Sequence, residues 1–116
     1  MLLNSNFWRG RRVLLTGHTG FKGSWASVLL NQLGASVVGL ALEPEGETNL
    51  FSAAGVETDV EHHVVDIRDA KAVHDVVSKA EPEVVIHMAA QALVRRSYRD
   101  PAGTFATNVQ GTANLL

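Results

Sequence analysis

Eight residues, Thr16-Gly17-His18-Thr19-Gly20-Phe21-Lys22-Gly23, set three glycines at the spacing G-x-x-G-x-x-G directly behind the apolar run Val13-Leu14-Leu15. After a strand and before a helix, that spacing suits a phosphate cradle. Gly17 would permit a sharp turn off the strand. Gly20 has no Cβ, so a diphosphate could approach its backbone closely. Gly23 would let the helix pack tightly on the strand. The amides at the helix start, aided by the helix dipole, would then face the anion. Thr19, Phe21 and Lys22 would border the ligand. Lys22 and His18 could each reach a phosphate or stand apart from it. The competing use of such a triplet is a turn that needs glycine for conformation alone; the flanking strand and helix favour the cradle. A Walker loop is excluded, because no Lys-Ser/Thr pair follows a G-x-x-x-x-G.

Other residues could complete a nucleotide site. In Asp66-Ile67-Arg68-Asp69, the Asp66 carboxylate could face an adenine amino group and the Ile67 backbone a ring nitrogen. Alternatively, Asp66 is a simple loop aspartate. The small residues of Met88-Ala89-Ala90-Gln91 would let a cofactor lie against a strand end, or they are ordinary core. Arg95, Arg96 and Arg99 could face a substrate's phosphates, a subunit partner or solvent. His62 and His63 are neighbours on a strand and point to opposite faces, which is poor geometry for a shared metal ion. No metal site is expected. His87 reads as a satisfied core histidine.

The elements that must position these residues alternate. Val13–Thr16 reads as a buried strand, and Ser24–Leu33 as a helix whose apolar stripe is Trp25, Val28, Leu29 and Leu33. Gly34 supplies the left-handed residue past its end. Ser36–Leu42 is a second strand, Leu50–Gly55 holds a helical turn, and Glu61–Asp66 is a third strand. Asp69 caps a helix with the stripe Val73, Val76, Val77 and Ala80. Residues 83–90 form a fourth buried strand, and residues 91–100 a polar loop. Asp100 caps a last helix with Pro101 at its first position. This order predicts an α/β, Rossmann-type parallel sheet with helices on both faces and strand order 3-2-1-4.

The totals set the bounds. With 116 residues and 46% apolar side chains, the chain supports one domain with a core. A net charge of −2 gives no electrostatic case for nucleic acid or an anionic membrane. The absence of cysteine excludes disulfides and thiol chemistry and fits a cytoplasmic setting. No apolar run reaches the ~20 residues of a membrane helix.

Taken together, the motifs resemble the extended short-chain dehydrogenase/reductase family, whose pattern T-G-x-x-G-x-x-G is met at every fixed position by residues 16–23. Asp66, the Ala89-Ala90-Gln91 strand end and the segment Thr107–Leu116 also match. Within that segment, Asn108 matches an asparagine the family keeps beside its cofactor. The wording of the motifs is similar to the nucleotide-sugar dehydratase branch; an epimerase or reductase of the same family, or a non-catalytic nucleotide-binding module, are the alternatives. The resemblance implies NAD as cofactor, a nucleotide-sugar substrate and a homodimeric parent. Many NAD-using relatives carry an aspartate at the end of strand two. That position is Ala41 here, with Glu43 as a possible substitute. Glu43, Glu45 and Glu47 would repel a 2′-phosphate and favour NAD over NADP; Arg68 argues the other way. The resemblance also implies a catalytic Tyr-x-x-x-Lys. The single tyrosine, Tyr98, has Ala102 four residues on. Residues 1–116 therefore read as the N-terminal part of an NAD-binding domain, truncated after the helix that follows strand four. No catalytic residue is expected within it, nor activity of the chain alone.

Overall fold

The computed structural model describes residues 3–116; Met1 and Leu2, part of the amino-terminal stretch, lie outside the described residues. In chain order come α1 (Ser5–Trp8), β1 (Arg12–Thr16), α2 (Phe21–Gln32), β2 (Ser36–Ala41), α3 (Leu50–Ala53), α4 (Val56–Asp59), β3 (Glu61–Val64), α5 (Ala70–Ala80), β4 (Val84–His87), α6 (Val94–Arg99) and α7 (Pro101–Phe105). A π-helical turn (Ala106–Gln110) then runs into α8 (Gly111–Leu115). The four strands are parallel in the order β3-β2-β1-β4, as the alternation of elements predicts.

The sheet has a core on each face. Val13, Leu15 and Val37 point to one face and pack with Leu30 of α2, Phe51 of α3, and Val56 and Val60. Leu14, Val38 and Leu40 point to the other and pack with Ile67 and with Val73 and Val76 of α5. Near-continuous apolar runs in β1 and β2 are what a doubly covered parallel strand requires. The α5 stripe lies where its periodicity places it. Gly34 takes φ +83°, and Ala35 N–H donates back to the Leu30 carbonyl at 3.0 Å, closing the end of α2.

Three expectations are corrected. The apolar stripe of α2 faces the core only in part: Val28 packs against it, but the buried face is Gly23, Ser24, Ser27 and Leu30, while Trp25 is 54% exposed and Leu29 is exposed too. The cause is Gly23. A Cβ there would overlap the Gly17 carbonyl oxygen, so the helix seats its glycine side against the turn. At about 100° per residue, Trp25 is then carried to the far side. The buried hydroxyls are satisfied locally, Ser24 Oγ by the His18 carbonyl (3.0 Å) and Ser27 Oγ by the Gly23 carbonyl (2.9 Å).

Secondly, β4 is not fully buried. It stands at the edge of the sheet, and Val85 is 47% exposed. A short apolar run gives no sign of which faces are covered. Thirdly, residues 94–99 form a helix rather than a loop. No glycine or proline interrupts them, and the helix stops at Asp100, just before Pro101. Asp100 Oδ1 accepts the Gly103 amide at 2.9 Å and caps α7 as expected.

Candidate dinucleotide site

A crevice of about 820 Å³ opens over the carboxyl ends of β1, β2 and β4. Its floor is the turn after β1. Gly17 takes φ +78°, and a Cβ there would lie 2.7 Å from the Ala89 amide nitrogen, so turn geometry and the backbone just after β4 both demand glycine. Gly20 differs. A Cβ on it would meet nothing closer than the Gly17 carbonyl oxygen at 3.4 Å, and the space beyond it is the crevice. Gly20 is also the N-cap of α2 and brings no side-chain cap to the helix amides. The starts of α3, α5 and α7 are instead capped by Asn49, Asp69 and Asp100. The longest helix thus begins uncapped at the mouth of the crevice, the arrangement that suits an anion.

Around this floor the structure gathers the other candidates. Thr19, Phe21 and Lys22 line the crevice with the three glycines. Thr19 Oγ donates to the Leu42 carbonyl at 2.8 Å, tying the loop to the end of β2. Ala41 is buried, whereas Glu43 borders the crevice. Asp66 and Ile67 lie on the far side. The Asp66 carboxylate accepts the Arg68 amide (2.9 Å) and is held by the Arg68 guanidinium at 2.6–3.0 Å. Those bonds hold Asp66 below its ordinary pKa and raise that of Arg68. Arg68 is therefore committed to a carboxylate, which weakens its claim as a 2′-phosphate ligand.

The β4 wall consists of Met88, Ala89, Ala90 and Gln91. Asn108, in the π-helical turn, clamps it: Oδ1 accepts the Gln91 amide (2.8 Å) and Nδ2 donates to the Gln91 carbonyl (3.1 Å). Asn108 thus reaches the crevice through Gln91. Its neighbour Thr107 lines the crevice itself. Arg96 of α6 also lines the crevice and approaches Glu45 at 3.7 Å. Tyr98 is 84% exposed and lies outside the lining.

Sequence reasoning missed the part played by Thr16. Its hydroxyl oxygen accepts the amides of Met88 (3.0 Å) and Ala89 (3.1 Å) and lies 2.6 Å from His87 Nδ1. With two N–H groups already on that oxygen, its proton goes to Nδ1. His87 then carries its own proton on Nε2 and donates to Thr112 Oγ (3.0 Å), which donates to the Asn108 carbonyl (2.6 Å). The relay joins β1, β4 and the last helix with every group satisfied, as expected of His87, and burial lowers the imidazole pKa. The signal lay in the first letter of the Thr16–Gly23 motif. His62 and His63 do diverge: the former meets His18, the latter pairs with Glu61 at 2.9 Å.

A parallel half-sheet in the order 3-2-1-4 with an uncapped glycine turn after its first strand is the architecture in which Rossmann-type folds hold dinucleotides. The model of the GDP-mannose 4,6 dehydratase family matches residues 14–116, and the chain belongs to that family. It is 47% identical over 115 residues to the CDP-glucose 4,6-dehydratase of Salmonella typhimurium, a match covering 99% of this chain and 32% of that protein. It is 36% identical over 104 residues to the UDP-glucose 4-epimerase of Mycolicibacterium smegmatis, covering 90% of the chain and 33% of that enzyme. In structure it resembles the UDP-glucose 4-epimerase from Brucella ovis, solved in complex with NAD, at a TM-score of 0.77 and 31% identity over 91% of this chain and 31% of that one. The chain spans about a third of the length of the relatives it matches. No helix among the described residues is long and apolar enough to cross a membrane.

Proposed function

We propose that residues 1–116 form the NAD-binding portion of a nucleotide-sugar 4,6-dehydratase whose substrate is CDP-glucose. The observation that carries the reading is the uncapped start of α2 beside Gly20, open to a crevice whose far side holds Asp66 and Ile67. In this reading the diphosphate of NAD rests on the amides of residues 19–23, with Lys22 beside it. Glu43 takes the adenosine ribose in place of the aspartate missing at Ala41. Asp66 and Ile67 border the adenine, and Met88–Gln91, held by Asn108, carry the nicotinamide half. Bound NAD supplies a hydride acceptor. The overall conversion is to CDP-4-keto-6-deoxyglucose with loss of water, a lyase reaction. The acidic side chains Glu43 and Glu45 disfavour a 2′-phosphate and support NAD over NADP.

The 47% identity to a CDP-glucose 4,6-dehydratase supports the substrate. The epimerase reading rests on the likeness to UDP-glucose 4-epimerases. Incubation with NAD and CDP-glucose separates the two. The 116-residue chain alone is expected to form no product, because it has no Tyr-x-x-x-Lys. A longer protein carrying this segment together with that motif is expected to form the 4-keto-6-deoxy sugar nucleotide. Formation of the C4 epimer would establish the epimerase instead. A homodimeric, cytoplasmic parent belongs to the same proposal.

A further inference from the structure

His18 sits between the first glycine and Thr19, yet its ring turns away from the crevice and is wholly buried. It lies against Gly39 of β2, where a Cβ would come within 2.5 Å of the ring. It stacks edge-on with Phe51 of α3 (centroids 5.7 Å) and His62 of β3 (4.9 Å). Its Nε2 lies 2.7 Å from His62 Nδ1, and its carbonyl accepts Ser24 Oγ of α2. One side chain therefore ties the glycine loop to two strands and a helix.

The surroundings of the ring favour one tautomer. His18 Nδ1 is buried and has no partner. A bare lone pair there costs less than an orphaned N–H, so His18 carries its hydrogen on Nε2 and donates to His62 Nδ1. A further proton at Nδ1 has only the Leu40 carbonyl to turn to, the oxygen that also accepts the Gly17 amide at 2.9 Å. A proton added on the other side, at His62 Nδ1, would set two N–H groups against each other. Burial accordingly lowers His18 from 6.5 to about 4, helped by His62 and by His63 on the other face. The Leu40 carbonyl opposes this. Of the groups against the ring, Gly39, Phe51 and Ser24 bring no charge, and Glu61 is paired with His63.

We propose that His62 is a positioning residue for the glycine loop, acting through His18, and that this buried pair makes the seating of the loop acid-sensitive. Neutral, the pair holds the loop on β2 and β3. An added proton releases it and draws the Leu40 carbonyl away from the Gly17 amide. The consequence for a dinucleotide rests on the reading above; the seating does not.

The Gly17 amide reports the seating by hydrogen exchange. Once corrected for intrinsic rates, its protection is expected to fall roughly tenfold per pH unit below about 6.5, because the opened loop takes up a proton that the closed loop refuses. At pH ~7.5, His62→Phe is expected to lower that protection at least ~10-fold, by stranding His18 Nε2–H, and His62→Asn to restore it to within ~3-fold by supplying an acceptor. A pH-independent Gly17 amide, or a folded His62→Phe as protected as the native chain, would overturn the proposal. If His62→Phe does not fold, the native pH profile alone decides. The same samples titrated with NAD keep the two ideas apart. Acid-labile protection without NAD binding refutes the cofactor reading and leaves the anchor standing. NAD binding with pH-independent protection does the reverse.

Discussion

The two walls of the crevice are built by different means. The wall after β1 is fixed by backbone sterics: Gly17 abuts the main chain just after β4, Gly23 abuts the Gly17 carbonyl, and His18 is sealed into the core. The wall after β4 is fixed by side-chain hydrogen bonds, the Asn108–Gln91 pair and the Thr16–His87–Thr112 relay, and continues into the exposed α6. A cradle for a diphosphate should exist before its ligand arrives, since preorganised donors do not have to be ordered on binding. The first wall meets that need. The second would face the other end of the dinucleotide in the proposed function.

If this contrast holds, damage should scale with the kind of restraint removed. Gly23→Val should have the largest effect. Its side chain would collide with backbone, and urea unfolding should show a loss of about 3 kcal/mol or more, or no folded protein. Asn108→Ala removes both partners of the half-buried amide and carbonyl of Gln91. It should cost about 1 kcal/mol in the same assay while leaving Gly17 exchange nearly unchanged. If Asn108→Ala loosened the glycine loop as well, the two walls would not be independent.

Acid should act mainly on the first wall. His18 protonates near 4 in the native chain and near 6.5 once unfolded, so between these values the unfolded chain binds the extra proton. The His18 contribution to stability should therefore be fully present above about 6.5, fall by about 1.4 kcal/mol per pH unit as pH drops through the window, and level off below about 4. Burial of His87 adds to the same slope, and the lowered carboxyl of Asp66 acts only at still lower pH. Arg96→Ala should do least. The guanidinium and Glu45 are both exposed and 3.7 Å apart, and the thermal midpoint should not move measurably.

The sheet order, the capping aspartates and the α5 stripe could be read from the sequence because each rests on a local pattern: alternating elements, Asp before a helix, valines at helical spacing. The rotation of α2 could not. It depends on Gly23 meeting Gly17, a contact between two glycines that no apolar count registers, and it turns Trp25 outward against its hydrophobicity. The anchoring of His18 was equally hidden, because its partner His62 is 44 residues away. The residues after β4 that line the crevice could be picked out as small side chains at a strand end. The hydroxyl of Thr16 that holds two of their amides was not, since a threonine closing a strand is also the ordinary choice of a β-branched residue.

Calorimetric titration with NAD of the native chain and of Gly20→Val tests the central claim most directly. Gly20 is the glycine of the turn whose added side chain would enter the crevice rather than the backbone. The expected result is saturable binding to the native chain and at least ~10-fold weaker binding to Gly20→Val, with the thermal midpoint of the variant unchanged. Equal affinity in the two proteins, or no binding to a folded native chain, would contradict the account.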